Sequence, residues 1–491
     1  MSGNQVVFTI DGEETFRLVY DAIFHAKSSV YIAGYDLDPS LNFVRGTGYT
    51  TSSIDRQHLK GTNAHKRLQE LIIKKARKGV IIRIIVWQPR LPLSILPGAD
   101  ERGLDGRAKD VEVLNKLAKK YGIEQNLIVK IDNTSPTLSS AHHEKIIVVD
   151  NKIGFCGGLD LSRGKWDTSK HAYNDRHRDQ GCEPWHDFHA MIKGPVVWDL
   201  AYHFNQRWAY HEVEDKNTIL AMDLKPADFT YNGNDGDTKA VALRTWEGID
   251  RDGGILAWYT NTIRKAKSSI YIENQFPFQN EFITRIICKR LKEQKNLKVI
   301  IVGPMEPNLP GLIGSILSNT SVNDVNEHLQ WIRDAGDSGK RVGTYSLVCQ
   351  DRKSKKLRQI YVHSKLLIVD DKWITVGSAN IDKNGFKDST EVNVGITSSS
   401  LAKELRMRLW REHMGLLEKP ENSNVRQLVD PSKIEDFNSG FDIWKKIADH
   451  NGSSMLQKSS IMGHIYYYNF EEMNLPPPYP KAKGGSKFSL L

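Results

Sequence analysis

One ten-residue pattern occurs twice in this chain and limits what the chain can fold into. The first copy, Ala-His-His-Glu-Lys-Ile-Ile-Val-Val-Asp, occupies residues 141–150, and the second, Tyr-Val-His-Ser-Lys-Leu-Leu-Ile-Val-Asp, occupies residues 361–370. Both contain His-x-Lys-x-x-x-x-Asp, and the two histidines are 363 − 143 = 220 positions apart. The apolar run between lysine and aspartate predicts a buried strand in each copy. Two such strands predict two similar halves.

Other segments repeat in the same order, which supports duplication of a whole unit. Residues 26–32 and 266–272 read Ala-Lys-Ser-Ser-Val-Tyr-Ile and Ala-Lys-Ser-Ser-Ile-Tyr-Ile, so six of the seven residues are identical. Apolar strands at residues 80–87 and 297–302 each follow a helix-like segment. This alternation predicts an α/β fold with mixed sheets of mainly parallel strands. We expect a duplicated α-β-α sandwich, with two similar halves packed with pseudo-twofold symmetry around one active site.

The duplication also predicts how the chain is divided. Residues 1–235 form the predicted first half and residues 236–470 the second half, with a polar, turn-rich linker at residues 232–237. Residues 471–491 form a Pro/Gly-rich C-terminal tail.

The composition is that of a globular protein with a basic surface. Hydrophobic residues account for 39% and charged residues for 26% of the 491 residues, and the net charge of +9 favours nucleic acid, anionic lipid or phosphate-bearing partners. The four cysteines are widely spaced, which predicts free thiols. We see no secretory signal, and no apolar run reaches the roughly 20 residues that span a bilayer. We therefore expect a cytoplasmic or peripheral membrane protein, and export by a route without a cleavable signal stays open.

The repeated motif places a histidine and a lysine on one face of each strand. Alternate side chains point the same way, so His143 lies beside Lys145 and His363 beside Lys365. Each pair is half of a phosphate site, because the imidazole supplies a nucleophile or a proton and the ammonium supplies charge. Two half-sites predict covalent phosphoryl transfer, in which one histidine attacks phosphorus and the other protonates the leaving oxygen. The lysines offset the charge on the phosphoryl oxygens.

The aspartates that end the motifs have a structural interpretation. Asp150 and Asp370 lie five positions after the lysines, an odd separation that puts them on the opposite face of the strand. We expect them to tie down the following turn or to pair with a basic residue.

The segments that follow the motifs differ between the halves. Gly158 and Asp160 of the first half align with Ser378 and Asn380 of the second. Glycine lets the backbone approach a ligand, and the serine and asparagine supply neutral donors suited to phosphate oxygens. A free carboxylate repels phosphate, so we expect Asp160 to pair with a lysine or to point away.

Each reactive histidine needs an acceptor for its other ring nitrogen. Asp187 and Glu391, in strand-like segments downstream of the motifs, are the candidates. The surrounding run also contains metal-ligand side chains: His171, Asp175, His177, Asp179, His186, Asp187 and His189. We favour hydrogen-bonded loop residues over a metal site here. The neighbours His142, His143 and Glu144 do not form a metal site either, because adjacent strand residues diverge.

These motifs resemble those of the phospholipase D superfamily, and the surrounding chain resembles the catalytic region of plant-type phospholipase D. The similar segments extend from about residue 30 to about residue 396. They are Gly157-Gly158-Leu159-Asp160-Leu161, Glu183-Pro184-Trp185-His186-Asp187, Trp198-Asp199, Gln206-Arg207-Trp208, Ile272-Glu273-Asn274-Gln275-Phe276, and Tyr361 to Asp371 continuing into Gly377-Ser378-Ala379-Asn380-Ile381.

The resemblance implies roles for individual residues. It implies that His143 is the nucleophile and His363 the general acid, supported by Asp187 and Glu391 respectively. It also implies that phosphate is held by Lys145, Lys365 and Asn380. The remaining expected substrate or phosphate pocket residues are Gly158, Asp160, Ser378, Gln275 and Asn274.

The resemblance further implies hydrolysis of phosphatidylcholine or related phospholipids to phosphatidic acid and a head-group alcohol, with head-group exchange when another alcohol is present. Plant-type enzymes carry an N-terminal calcium-dependent lipid-binding domain, whereas this chain starts close to the first repeat. We therefore expect no required cofactor and leave calcium stimulation open. The expected partners are a phospholipid at a membrane or micelle surface and water or an alcohol. We expect no nucleic acid and a monomeric chain.

Two apolar segments follow the strands that precede the motifs. They contain Leu93 and Leu96 (residues 91–97) and Leu312 and Ile313 (residues 309–317). If they flank the mouth of the site they contact lipid, and otherwise they cap the core.

The main alternative function is a nuclease or phosphodiesterase of the same superfamily that acts on nucleic acid, which the positive charge permits. A scaffold with a dead site is disfavoured by the two intact motifs.

Overall fold

The computed structural model describes residues 1–45, 67–89, 104–135, 140–212, 236–249, 253–305, 322–417, 425–469, 471 and 474–475. The apolar residues Leu93, Leu96, Leu312 and Ile313 lie outside these described residues, as do most of the predicted linker and tail. The proposed domain boundaries therefore remain a prediction.

The first half alternates strands with helices and then ends in a run of strands and a long helix. Its strands are β1 (Gln5–Ile10), β2 (Ser29–Gly34), β3 (Ile81–Trp87), β4 (Leu127–Asp132), β5 (Ile146–Val149), β6 (Ile153–Gly157), β7 (Trp185–His186) and β8 (Phe188–Lys193). Its helices are α1 (Asp11–His25), α2 (Leu68–Ala76), α3 (Leu104–Lys120) and α4 (Val196–Glu212).

The second half repeats this order and adds C-terminal elements. Its strands are β9 (Lys239–Thr245), β10 (Ser269–Asn274), β11 (Lys298–Val302), β12 (Val342–Gln350), β13 (Leu357–Val362), β14 (Lys365–Val369), β15 (Trp373–Gly377), β16 (Glu391–Thr397) and β17 (Ile465–Tyr467). Its helices are α5 (Gly254–Lys265), α6 (Glu281–Glu293), α7 (Val322–Ala335), α8 (Ser399–His413), α9 (Val425–Leu428) and α10 (Phe437–Leu456), with a π-helical turn at Asn384–Asp388 and a 3₁₀ turn at Pro431–Glu435.

The two sheets have the same strand order. The first reads β1-β8-β6-β5-β2-β3-β4, and the second contains β9-β16-β15-β14-β10-β11-β12 and continues through β13 to β7. Each strand of the first series therefore has a counterpart at the same place in the second. This correspondence confirms the predicted α/β fold with two similar halves.

The expectation of mainly parallel strands is wrong. In the first sheet only the β2–β3 and β3–β4 pairs are parallel, and the other four pairs of described strands are antiparallel. The helical connections end at β4. The following pair, β5 and β6, is joined by a short turn, which permits antiparallel pairing. The sheets are mixed, as expected.

The motif strands separate two kinds of core. In β5, Ile146 and Val148 face the central core between the sheets, whereas Ile147 and Val149 face the core beneath α1 and α2. In β14 the same alternation sends Leu366 and Ile368 to the central core, and the intervening residues pack towards α5 and α6. Period-two alternation with burial on both faces explains why these strands read as continuous apolar runs.

The motif aspartates fasten β5 and β14 to the preceding helix–strand corner. The Asp150 carboxylate accepts hydrogen bonds from the backbone N–H groups of Lys27, Ser28 and Ser29, at 2.7 to 3.0 Å, and from the Ser28 hydroxyl at 2.9 Å. The Asp370 carboxylate makes the same bonds to residues 267–269. The structural interpretation of both aspartates agrees with these contacts, and the repeated Ala-Lys-Ser-Ser segment is their partner.

Two further features agree with the sequence. All four cysteines are free. None of the described helices is both long enough and apolar enough to cross a membrane.

Candidate active site

The two motif histidines lie just before the strands that carry their motifs. His143 precedes β5, and His363 lies between β13 and β14. Their side chains are 16% and 11% exposed, respectively, while the carboxylate that each one contacts is almost completely buried. A ligand therefore reaches the imidazoles but not the groups behind them.

Each histidine is held by a carboxylate from the other half. His143 Nδ1 lies 2.9 Å from Glu391 Oε1, and His363 Nδ1 lies 2.7 Å from Asp187 Oδ2. The expected pairing, Asp187 with His143 and Glu391 with His363, is therefore reversed. In both pairs Nδ1 takes the carboxylate, which leaves Nε2 for chemistry.

Two crossovers between the halves cause this reversal. The short strand β7 belongs to the first half in sequence but pairs in parallel with β13, and its His186 carbonyl accepts the His363 N–H at 2.8 Å. This pairing places Asp187, the next residue, beside His363. In the second half Thr390 forms an isolated parallel bridge with His142, and its carbonyl accepts the His143 N–H at 2.8 Å.

The two lysines are buried and oriented by different partners. Lys145 Nζ lies 3.2 Å from Asp160 Oδ2, and Lys365 Nζ donates to Gln275 Oε1 at 3.0 Å. The other oxygen of Asp160 accepts the N–H groups of Tyr35 and Asp36, each at 3.0 Å. Asp160 therefore pairs with a lysine, and Gln275 positions the other lysine.

Burial and positive charge keep both histidines neutral. Burial, followed by the charges of Lys145 and Lys365, holds the pKa of His143 well below its usual value. Burial, followed by the charges of Lys365 and Lys165, does the same to the pKa of His363. His143 and Lys145 also lower the pKa of His363, so the two half-sites act on each other electrostatically.

The pKa values of the supporting carboxyls are raised, and the pKa of one lysine is lowered. Burial raises the pKa of Asp187 to about 7, with Lys365 opposing it, and raises the pKa of Glu391 well above its usual value. Burial lowers the pKa of Lys365 to about 7, opposed by the charge of Asp187. Asp187 and Lys365 therefore both have pKa values near 7, so a small change in nearby charge changes their protonation at neutral pH.

Three of the expected pocket residues have structural contacts instead, and two of these bond to the backbone. Asn274 is completely buried, and its Oδ1 accepts the N–H groups of Phe276 and Ile381 at 2.9 and 3.1 Å. Ser378 is also completely buried, and its hydroxyl bonds to the backbone of Val392. They position the neighbours of Asn380 and Glu391, because neither side chain is open to a ligand.

The third, Gly158, makes room for a carboxylate. A Cβ at this position would lie 2.2 Å from Asp187 Oδ1, so only glycine fits there. Asn380, by contrast, is 8% exposed, and its Oδ1 accepts no hydrogen bond within the described structure. Asn380 is therefore an expected phosphate ligand whose side-chain oxygen has no hydrogen-bond partner among the described residues.

Several residues near the histidines were missed by sequence reasoning. The Tyr35 ring lies edge-on to His143 at 5.2 Å, and Arg107 lies 4.2 Å above the Tyr35 ring. The Trp185 ring is 4.9 Å from His363, and Lys165 Nζ lies 3.5 Å from the centre of that ring. These residues do not belong to the repeated motifs, so the repeat did not identify them. Only Trp185 could have been found from the sequence, because it lies two positions before Asp187.

The histidine-rich segment is divided between three environments. Asp187 serves the active site, and Asp179 pairs with Arg45. His171 and His186 are completely buried in a separate cluster that the structure builds from both halves.

Comparison with known proteins identifies the family to which this chain belongs. The family model "Phospholipase D" matches residues 22–247, and the model "Cardiolipin synthase, PLD-like domain" matches residues 259–412. The two matched segments follow one another along the chain without overlap. The chain belongs to the phospholipase D superfamily.

Curated members of this superfamily are similar along most of the chain. Phospholipase D alpha 2 from Arabidopsis thaliana is 26% identical over 92% of this chain and 69% of its own length. Phospholipase D alpha 1 from Cynara cardunculus is 26% identical over 83% of this chain and 65% of its own length. The chain thus spans about two thirds of the length of these relatives. The crystal structure of phosphatidylserine synthase from Haemophilus influenzae shares the fold, with a TM-score of 0.54, 13% identity, and coverage of 90% of this chain and 93% of that one.

Proposed function

We propose that this superfamily member is a phospholipase D, which hydrolyses phosphatidylcholine or a related glycerophospholipid to phosphatidic acid and the head-group alcohol. The observation that carries the proposal is the pair of partly exposed histidines, each backed by a buried carboxylate and set beside a buried lysine. Such a set suits a phosphodiester, whose single negative charge needs local positive charge and whose leaving oxygen needs a proton.

In the first step, His143 Nε2 attacks phosphorus while Glu391 holds Nδ1–H. The N–P bond forms and the P–O bond to the head group breaks, and His363 Nε2–H gives its proton to the departing oxygen. Lys145, Lys365 and Asn380 hold the phosphoryl oxygens. Burial raises the pKa of Glu391 well above its usual value, and the charges of Lys145 and Lys365 oppose that rise.

The acid form of His363 depends on the substrate. In the free site, burial and nearby lysines disfavour its protonation. A bound phosphodiester brings negative charge next to the ring and so raises the pKa of His363. The protonated acid therefore forms when there is a leaving group to protonate.

In the second step, neutral His363 takes a proton from water, and the hydroxide oxygen attacks phosphorus. The N–P bond breaks, phosphatidic acid leaves, and His143 regains its lone pair. When an alcohol replaces water, the same step yields the exchanged phospholipid.

The choice of lipid rests on the curated phospholipase D relatives, with their matches over most of the chain. The competing substrate is single-stranded nucleic acid, for which the net charge of +9 is the supporting observation.

The test uses the full chain in calcium-free buffer with phosphatidylcholine vesicles and ethanol. We expect phosphatidylethanol together with phosphatidic acid, and loss of both in His143→Asn and His363→Asn by about 10³-fold or more. His25→Asn, which changes an exposed histidine, is the matched control. No lipid product alongside cleavage of single-stranded DNA would replace the proposal with the nuclease.

A further inference from the structure

A second cluster of ionisable side chains lies behind the active site. Asp11 at the start of α1, His171 in a loop, His186 in β7 and Glu412 near the end of α8 bring their polar atoms together. All four are buried, with at most 2% of their surface exposed. Three come from the first half and one from the second, so the cluster joins the halves.

The ligand-type atoms of the four residues lie close enough together to share one small ion. His186 Nδ1 lies 3.0 Å from Asp11 Oδ1 and 3.1 Å from Glu412 Oε1. His171 Nε2 lies 3.2 Å from Glu412 Oε1 and 3.4 Å from Asp11 Oδ2. A tetrahedral ion with metal–ligand bonds of about 2.0 Å requires ligand atoms about 3.3 Å apart. The distances from each histidine nitrogen to Asp11 and Glu412 are close to that spacing, with a different oxygen of Asp11 facing each histidine.

The outer ring nitrogens are held as they are in metal sites. His171 Nδ1 lies 3.0 Å from Asp167 Oδ2, and His186 Nε2 lies 2.9 Å from Glu273 Oε2. A metal-bound imidazole almost always donates its other N–H to a carboxylate or a carbonyl, which fixes the ring and its tautomer. Both histidines of the cluster have a buried carboxylate in that position.

One ligand atom has no hydrogen bond, and the cluster is rich in negative charge. Asp11 Oδ2 is buried and accepts no hydrogen bond in the described structure, although it points towards His171. Of the ion pairs that the described residues make with Asp11, Asp167, Glu273 and Glu412, only the one from Arg178 to Asp167 comes from an arginine or a lysine. Buried carboxylates need compensating positive charge, which is supplied either by protonated His171 and His186, whose pKa values these carboxylates raise, or by a bound cation.

We propose that Asp11, His171, His186 and Glu412 bind a divalent ion of the zinc class at a closed, tetrahedral, structural site. Two imidazoles and two carboxylates are ligands that Zn²⁺ accepts, and four protein ligands leave no open position. Ca²⁺ is disfavoured because it takes six to eight oxygen ligands at longer distances, and Mg²⁺ because it demands octahedral oxygen coordination.

The ion ties the two halves together beside the active site. His186 is followed directly by Asp187, which holds His363, and Glu412 lies on α8 of the second half. Fixing His186 therefore fixes the approach of Asp187. The ion itself has no contact with substrate in this arrangement, because the cluster is completely covered.

The first test measures metal content of the full chain, purified without a histidine tag after growth with added zinc. We expect about one zinc ion per chain by elemental analysis, and a fall in the thermal midpoint when the ion is stripped with a chelator under mildly destabilising conditions. Substitution with Co²⁺ should give the intense visible bands of tetrahedral coordination. A metal-free chain whose thermal midpoint does not respond to zinc would overturn the proposal.

The second test assigns the site with near-isosteric variants. Asp11→Asn and Glu412→Gln should lose the bound ion. Asp167→Asn, whose side chain contacts the cluster only at the outer nitrogen of His171, should weaken zinc binding by about 10- to 100-fold. His25→Asn should bind zinc as the unchanged chain does. Full zinc content in folded Asp11→Asn would place the metal elsewhere and overturn the assignment.

If the variants do not fold, the Co²⁺ spectrum of the unchanged chain decides alone, and a weak octahedral spectrum contradicts the proposal. These readouts do not depend on phospholipase activity, so this proposal and the proposed function fail separately.

Discussion

At the scale of residues, the exchange of carboxylates between halves can be tested directly. Asp187→Asn removes the anion from His363 Nδ1 while keeping the shape of the side chain. We expect the ¹⁵N and ¹H signals of the His363 ring to shift, with little change in those of His143, because Glu391 holds the other ring. Glu391→Gln should do the reverse. A shift of the His143 ring in Asp187→Asn would restore the same-half pairing.

The lysine of the second motif sets an alkaline limit on activity. Burial lowers the pKa of Lys365 to about 7, so its positive charge is lost as pH rises through that value in the free enzyme. We therefore expect kcat/KM to fall above neutral pH, with a smaller fall in kcat because bound phosphate raises the pKa of this lysine. Lys365→Arg should remove this limb, since arginine stays charged. An unchanged limb in that variant would assign it to another group.

Gly158 tests how tightly Asp187 is held. Gly158→Ala puts a Cβ within 2.2 Å of Asp187 Oδ1, so the carboxylate must move away from His363. We expect kcat to fall by about 100-fold, with a loss of about 1–3 kcal/mol in the free energy of unfolding from overpacking. Gly254→Ala is the matched control, because a Cβ there would come no closer than 3.4 Å to another atom. Equal kcat in Gly158→Ala and the unchanged chain would contradict the geometry.

The sequence patterns predicted which residues belong to the candidate site, but not which residues contact each other. The repeat identifies His143, Lys145, His363 and Lys365, because strand alternation places each pair on one face. It does not show which half supplies each carboxylate, since that depends on β7 pairing with the other sheet.

The neighbouring polar residues show the same limit. Asn274 and Ser378 look like phosphate ligands in the sequence, yet Asn274 bonds to the backbone of Ile381 and Ser378 to the backbone of Val392. Whether such a side chain binds a ligand or the backbone depends on how the segments pack together, which the sequence pattern alone does not show.

At the scale of elements, each motif aspartate connects its strand to the corner between a helix and the neighbouring strand. Asp150 and Asp370 accept the same set of hydrogen bonds and share a φ of 52°, a left-handed turn that aspartate and asparagine tolerate. We expect Asp150→Asn and Asp370→Asn each to lower the free energy of unfolding by about 1–2 kcal/mol, measured with urea, because an amide offers a donor where N–H groups converge. Activity per folded molecule should persist. Lost activity without lost stability would assign these residues to the site instead.

The order of elements was predictable to the extent that it is local. Helix–strand alternation gave the layered α/β arrangement and the repeated Ala-Lys-Ser-Ser corner gave the duplication. The antiparallel half of each sheet was not foreseen, because apolar runs such as Leu366 to Val369 look the same in parallel and antiparallel strands. The turns between β5 and β6 and between β14 and β15, both too short for a crossover helix, were the available signal.

At the scale of the whole molecule, neither half holds a complete site. The first half supplies His143, Lys145 and Asp187, and the second supplies His363, Lys365 and Glu391. Each histidine is completed by a carboxylate from across the interface. Duplication thus yields one site at the junction between the halves, and the central apolar core between the two sheets keeps them in register.

A complete site within one chain has a consequence for mixtures of inactive chains. We expect His143→Asn and His363→Asn proteins, unfolded together and refolded as a mixture, to give no more phosphatidic acid than the two refolded separately, because each molecule carries one damaged histidine in its only site. Size-exclusion chromatography of the unchanged chain should show a monomer. The control mixture pairs each variant with the unchanged chain and should recover activity in proportion to that chain. Recovered activity in the mixture of the two variants would instead show halves exchanged between chains, with each site assembled from two molecules.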